Sequence, residues 1–217
     1  MLYDFHTHTY MSDGVLGFAE LARRCQKLGY NGLTIADHCD SANLEITVKQ
    51  TVLFCQRASG HYGSMILLPG CEITHSPPDL IPSLVEKARE LGAKMVLVHG
   101  ETIVEPVIPG TNKAAIKAGA DVLAHPGLIE TEDAALAAES GTFLEISGRK
   151  GHCYTNGHVA KIARETGTSI SFGSDGHQPG DYPAPEQANR ILKGAGLDDS
   201  EIETIFASMA KIFAKQR

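Results

Sequence analysis

Residues 4–14 read DFHTHTYMSDG, with His6 and His8 placed where a first β-strand should end. In an extended strand, residues i and i+2 point to the same side, about 6.6 Å apart along the chain. Both imidazoles can therefore reach one metal ion through bonds near 2.1 Å. The pattern returns near the other end of the chain as Asp175 and His177, in FGSDGH. Between them lie His38 in TIADH, Glu72 in LLPGCE, His99 in VLVHGE and His125 in VLAHPG, each closing a short apolar run. One polar residue at a strand exit is ordinary. Six histidines and two carboxylates at successive strand exits would carry a large desolvation and repulsion cost without a cation among them. Mixed imidazole and carboxylate donors suit zinc, manganese or iron, and the lack of cysteine among them argues against a closed structural zinc site. The donors are too many for one ion, so two or three divalent ions are expected.

These residues need a frame that brings strand ends together. The apolar runs LYDF, GLTIAD, MILLPG, KMVLVHG, DVLAHPG, FLEIS and SISFGSD start roughly 20 to 32 residues apart, about one strand plus one returning helix. Helices are expected over 16–29, 79–91, from Thr111 or Asn112 to Gly119, from Thr131 to Gly141, from Asn156 to Gly167, and over 198–215. Asn112 and Asn156 are read as helix caps. Residues 46–58 are rich in β-branched side chains, and helix is assigned there only because the alternation demands a crossover. Strand–helix alternation implies a parallel sheet, whose carboxyl ends share one rim when it closes. Seven strands in 217 residues favour a single α/β domain over 1–217, a TIM-like (β/α)7 barrel, over an eight-unit one. An open doubly wound sheet is the alternative, but no G-x-G-x-x-G follows the first strand.

Composition narrows the function further. Apolar residues make up 42%, charged residues 21%, and the formal net charge is −7. No basic run exceeds Arg23-Arg24, which disfavours salt-driven binding to long nucleic acid. No run of about 18 apolar residues and no signal-peptide pattern is present, so neither a membrane span nor export is expected. Five scattered cysteines, with no CxxC, read as reduced thiols of a cytoplasmic protein. Cys39 and Cys71, beside suspected ligands, are read as small core residues.

Second contacts follow from alternation. Asp4 shares the face of His6 and His8 and is placed to orient a ligand imidazole, and Glu145 faces the barrel interior; the equal alternative for either is a buried acid paired with a core cation. Asp37 should face away from the site. The loop SGRKGHCYTNGH carries Arg149, Lys150 and His152 ahead of a helix N-terminus and is the expected phosphate contact; its plain alternative is a solvated basic turn. Lys113 is a second option, and Glu101, His61 and His75 are read as surface or support residues.

Taken in order, HTHT with SDG, ADH, a strand-end Glu, VHGE, AHP and SDGH resemble the PHP (polymerase and histidinol phosphatase) domain family over nearly the whole chain. The resemblance implies a distorted barrel with a trinuclear site and phosphoester hydrolysis. It places His6, His8, Glu72 and Asp175 on a first ion. Glu72 bridges to a second, completed by His99 and His125, and Asp13, His38 and His177 hold a third. Asp13 is otherwise a turn residue before Gly14. Metal-activated water would supply the nucleophile near neutral pH, held in line with phosphorus by a pair of ions. Asp175 belongs to that machinery, and His177 is a candidate proton donor to the leaving oxygen. The expected substrate is a small phosphomonoester, as in histidinol phosphatase. The alternatives are nucleotide or short-oligonucleotide diester cleavage, metal-dependent C–N hydrolysis, and a non-catalytic metal-binding module.

Overall fold

The near-continuous Val, Ile and Leu runs suit strands covered on both faces, the signature of a parallel sheet. In the computed structural model, which describes residues 1–215, they form β1 (Tyr3–Asp4), β2 (Gly32–Ile35), β3 (His38–Cys39), β4 (Ile66–Ile73), β5 (Met95–His99), β6 (Val122–Ala124), β7 (Phe143–Ser147) and β8 (Ile170–Gly173). All pairings are parallel. Both β2 and β3 pair with β4, so they are two pieces of one barrel position, and the segments make seven staves in the order β1-β2-β4-β5-β6-β7-β8. The first and last staves meet. Phe5 N–H donates to the Phe172 carbonyl (3.2 Å), Asp175 N–H to that of His6 (2.8 Å) and His8 N–H to that of Gly176 (3.0 Å). The result is a nearly closed barrel, not an open sheet.

The crossovers are α1 (Phe18–Leu28), α2 (Leu44–Ala58), α3 (Ile81–Glu90), α4 (Thr111–Lys117), α5 (Thr131–Ser140) and α6 (Asn156–Thr166). After β8 come α7 (Pro185–Gly194) and α8 (Asp199–Ala214). The ambiguous stretch 46–58 is helical: Thr47, Val48 and Thr51 are buried, and packing against β4 outweighs their strand propensity. The sequence reading leaves α7 unassigned; it starts on Pro185, a residue pre-set for a first helical turn. α8 opens with a complete capping box between Asp198 and Glu201. Its Phe213 stacks on Phe5 at 5.5 Å, sealing the seam between β1 and β8.

Two expected caps do other work. Asn156 Oδ1 accepts the Ser147 N–H (3.1 Å) and its Nδ2 donates to the Ser147 carbonyl (2.8 Å), pinning the end of β7. Asn112 Oδ1 accepts the Glu101 N–H (2.9 Å) and its Nδ2 donates to the Pro126 carbonyl (2.9 Å). Both tie rim loops instead of capping helices. Among the described residues no helix is long and apolar enough to cross a membrane. The last two residues of the expected domain, Gln216 and Arg217, lie outside the described residues.

Candidate metal centre

The rim after the carboxyl ends of the staves gathers the strand-end residues into one buried cluster. The turn after β1 is fixed by Asp37, whose carboxylate accepts the Thr9 N–H (2.6 Å), the Thr9 hydroxyl (2.7 Å) and the Ser12 hydroxyl (2.9 Å). Asp37 thus stays out of the cluster and shapes the loop that carries its first donors. Asp4 differs from expectation. Its Oδ1 accepts the backbone N–H of His6 and of Ser174, each at 3.0 Å, so it joins β1 to β8 and touches no imidazole. Burial raises the Asp4 carboxyl to about 7.

Glu145, fully buried, does contact a ring. Its Oε1 lies 2.8 Å from His6 Nδ1, and its Oε2 accepts the His125 N–H at 3.0 Å. The Nδ1–H donated to Glu145 leaves the His6 Nε2 lone pair facing the cluster. Gly173 makes room for this contact: a Cβ there would stand 2.0 Å from Glu145 Oε1 and 2.7 Å from the His6 Cβ. The three non-glycine residues with positive φ among those described, His75 (50°), His125 (28°) and Asp175 (51°), all belong to this rim, where strained backbone is characteristic of functional sites.

Glu72 stands at the centre. Its Oε2 lies 2.7 Å from His38 Nδ1, 3.2 Å from His6 Nε2 and 3.8 Å from His8 Nε2, and its Oε1 lies 3.4 Å from His125 Nε2. Asp175 Oδ1 lies 3.3 Å from His8 Nε2 and 3.9 Å from His6 Nε2. Asp13 Oδ1 lies 3.0 Å from His177 Nε2 and 3.5 Å from His38 Nε2. Donor atoms fall within 4.8 Å of one another in the groups His6–His8–Glu72, His8–Asp13–His38–His177 and His99–His125–His152.

These atoms fit a cation. His6 Nε2, His8 Nε2, His177 Nε2 and both Glu72 carboxylate oxygens are buried without a hydrogen-bond partner, although each has another polar atom of the cluster close by. Such groups are costly unless something positive lies among them. The titration pattern agrees. Burial opposes charge on His6, but Glu145, Glu72 and Asp175 outweigh it and raise its pKa well above the usual imidazole value. Burial is likewise outweighed at His38 and His125, chiefly by Glu72, and both are raised. Burial and the neighbouring His38 lower His8 to about 3. Glu72 and Asp175 are held well below the usual carboxylate range, because the surrounding histidines overcome their burial.

No protein-family model matches the chain. Over 217 residues it is 42% identical to the uncharacterized protein MJ1295 of Methanocaldococcus jannaschii, covering 100% of both chains. The chain belongs to the MJ1295 family. An alignment of 111 positions, covering 45% of this chain and 44% of the relative, shows 32% identity with a probable phosphatase of Thermoanaerobacter sp. strain X514. Among solved structures it is similar to histidinol phosphate phosphatase (HISK) from Lactococcus lactis, complexed with zinc, L-histidinol and phosphate. The TM-score is 0.63 at 13% identity, over 90% of this chain and 94% of that one, and the likeness establishes the barrel.

The MJ1295-family cluster opens into a pocket of about 380 Å³. Arg149 stands at its lip, with Nη1 2.6 Å from His177 Nδ1 and 3.2 Å from the Asp175 carbonyl, and Nε 3.8 Å from Asp175 Oδ2. Lys150 does not join it; it is exposed and lines an adjoining hollow with Gln178 and Asp181. Lys113 pairs with Asp133 at 3.6 Å. His152, expected at the phosphate, lines the same pocket and is buried there with its ring 4.0 Å from that of His125; burial lowers it to about 4. One pocket residue, Glu105, escapes the sequence reading, and His75 is read there only as a surface or support residue. Glu105 Oε2 lies 3.1 Å from both His99 Nε2 and His75 Nε2, and Oε1 lies 3.3 Å from His152 Nε2. Those contacts, with His99 foremost, hold the Glu105 carboxyl down at about 2. Glu105 lies on a loop away from any strand end, so no periodic signal marks it.

Proposed function

We propose that the chain is a metal-dependent phosphoesterase of the PHP type that hydrolyses a small phosphomonoester. The observation that carries this reading is the convergence of buried, unpartnered imidazole nitrogens and carboxylate oxygens on one rim, beside a pocket with an arginine at its lip. The ions would be held by His6, His8, Glu72 and Asp175, by Glu72, His99 and His125, and by Asp13, His38 and His177. Zinc, manganese or iron held there would supply Lewis acidity and water activation at neutral pH.

The chain's own residues bind and orient. Arg149 rests on the Asp175 carbonyl and beside its carboxylate; a phosphate offers its N–H fork a better bidentate acceptor. Asp175 keeps its negative charge among the histidines and fixes the positions of His6 and His8. His177, between Asp13 and Arg149, is the side chain placed to pass a proton to the leaving oxygen. A pocket of about 380 Å³ is at the small end for ligand sites and suits a metabolite-sized ester. A cytoplasmic setting belongs to the same proposal.

The test is phosphate release from a panel of phosphomonoesters, including histidinol phosphate and nucleoside monophosphates, with added Mn²⁺. Release that falls about 100-fold or more in Asp175→Asn supports the phosphatase reading, and the best substrate narrows the class. A metal-loaded protein silent across the panel overturns the monoester reading. Cleavage of diesters or amides would then select between the other hydrolase classes, and silence there leaves the non-catalytic module.

A further inference from the structure

The loop between β5 and α4 is a hoop closed at its base. Glu101 Oε1 accepts the N–H groups of Gly110 (3.0 Å) and Asn112 (2.9 Å), while Asn112 Oδ1 accepts the Glu101 N–H (2.9 Å). This clamp closes the loop of residues 102–109, from which Glu105 lines the pocket. There the carboxylate meets three imidazoles: His99, His152 and His75. His152 is 4% exposed, and its Nδ1 has no hydrogen-bond partner.

Two features of this contact point to a cation. First, His99 Nδ1 lies 3.2 Å from the Gly100 carbonyl. An Nδ1–H donated there leaves a bare lone pair on Nε2, the nitrogen that faces Glu105 Oε2 at 3.1 Å. A ring proton on Nε2 or an ion must then lie between nitrogen and carboxylate, and only an ion draws in His125 and His152 as well. Second, the separations of 3.1 Å and 3.3 Å from Glu105 to His99 and His152 are close to the edge of a tetrahedron of donors around zinc, about 3.4 Å for bonds near 2.1 Å. His99, His125 and His152 already bring three ring nitrogens within 4.8 Å of one another.

We propose that His152 and Glu105 are further ligands of the ion carried by Glu72, His99 and His125, which makes it a site of three imidazoles, the bridging Glu72 and one loop-borne carboxylate. This rests on the reading of the rim as a metal centre. His75, 3.1 Å from the same carboxylate, orients Glu105 from outside; its φ of 50° is the backbone distortion that points its ring inward. Three imidazoles favour a zinc-like ion over magnesium or calcium. Because Glu105 stands on a loop, it is also the ligand an incoming anion can displace.

The test uses the full chain, stripped with a chelator and titrated with Zn²⁺ against a chromophoric competitor, with bound metal counted and the Co²⁺-loaded visible spectrum recorded. Glu105→Gln and His152→Asn are each expected to weaken one ion by at least about 10-fold, the lower end of what even an orienting partner contributes, and to change the Co²⁺ spectrum while the remaining ions bind as before. His75→Gln should give a smaller loss with the ion count kept. Variants that unfold like the parent without metal, yet hold the same number of ions within twofold in affinity and with an unchanged spectrum, overturn the ligand assignment alone. A parent chain that binds no Zn²⁺ overturns the metal-centre reading and this proposal with it. Should His152→Asn not fold, Glu105→Gln, on a partly exposed loop, decides the matter. Phosphate release enters neither outcome.

Discussion

Replacing Glu145 with Gln removes one acceptor from a fully buried pair of contacts while keeping the shape. The carboxylate serves two donors, His6 Nδ1 at 2.8 Å and the His125 backbone N–H at 3.0 Å; the amide keeps one oxygen for both. If that oxygen stays with His125, the NH₂ faces His6 Nδ1 and drives the ring proton to Nε2. That is the nitrogen 3.2 Å from Glu72 Oε2, which must be bare to bind an ion. If the oxygen turns to His6, the NH₂ faces the His125 N–H, and a buried donor opposing a donor costs about 1–3 kcal/mol. Either route should weaken ion binding by about 10- to 100-fold, the usual worth of a contact that orients a ligand, or about 1.4–2.8 kcal/mol. A Zn²⁺ competition titration reads this directly, and thermal unfolding in chelator separates it from a folding defect. Affinity within twofold of the parent, with the same unfolding temperature, would refute the claim that Glu145 sets the His6 tautomer.

Gly173→Ala should lower the unfolding temperature of the metal-free chain, because the new Cβ meets Glu145 Oε1 at 2.0 Å. Overpacking of about 1–3 kcal/mol corresponds to roughly 2–12 °C in a domain of this size, and calorimetry showing no change would remove the close-approach argument. Arg149→Met should raise the concentration of inorganic phosphate that half-inhibits ester cleavage by about 10-fold or more, the worth of a charged hydrogen bond; unchanged inhibition places the phosphate elsewhere. Ion affinity should rise with pH. His6, His38 and His125 have raised pKa values in the metal-free cluster, so an ion entering near neutrality must expel protons. Calorimetry in buffers of different ionisation enthalpy counts them, and zero release contradicts the argument.

The barrel was readable because parallel strands buried on both faces leave continuous apolar runs, and because their shared direction delivers every strand end to one rim. His6, His38, Glu72, His99, His125 and Asp175 could therefore be grouped from their places in the chain. The side of the rim built on irregular backbone could not. Glu105 sits on a loop with no period, and His75 reaches the pocket through a left-handed backbone, which L residues seldom adopt. His152 was noticed for its basic loop, but a 3₁₀ turn over His152–Thr155 rotates it under His125. Asn112 and Asn156 show the same limit at a finer scale. Short polar side chains near a helix start can cap it or bond elsewhere, and only the closure of the rim decides that Ser147, Glu101 and Pro126 take them. Asp4 faces the expected way, but the nearest orphan donors were backbone N–H groups, so it became a brace between staves.

The charge pattern of the rim joins these threads. Burial alone would strip protons from every imidazole here, and it prevails at His8, His99 and His152. At His6, His38 and His125 the carboxylates win, with Glu72 close to all three. The metal-free chain therefore gathers protons where its acids concentrate and keeps bare nitrogens beside them. Protons satisfy this cluster only pairwise, as between His38 Nδ1 and Glu72 Oε2 at 2.7 Å, and leave His6 Nε2 and His8 Nε2 without a hydrogen bond. A divalent ion replaces a proton with two charges and accepts lone pairs from imidazole and carboxylate together, which a proton between two atoms cannot do. On that ground the residues that are costly to bury without a cation are those suited to hold a small, highly charged one.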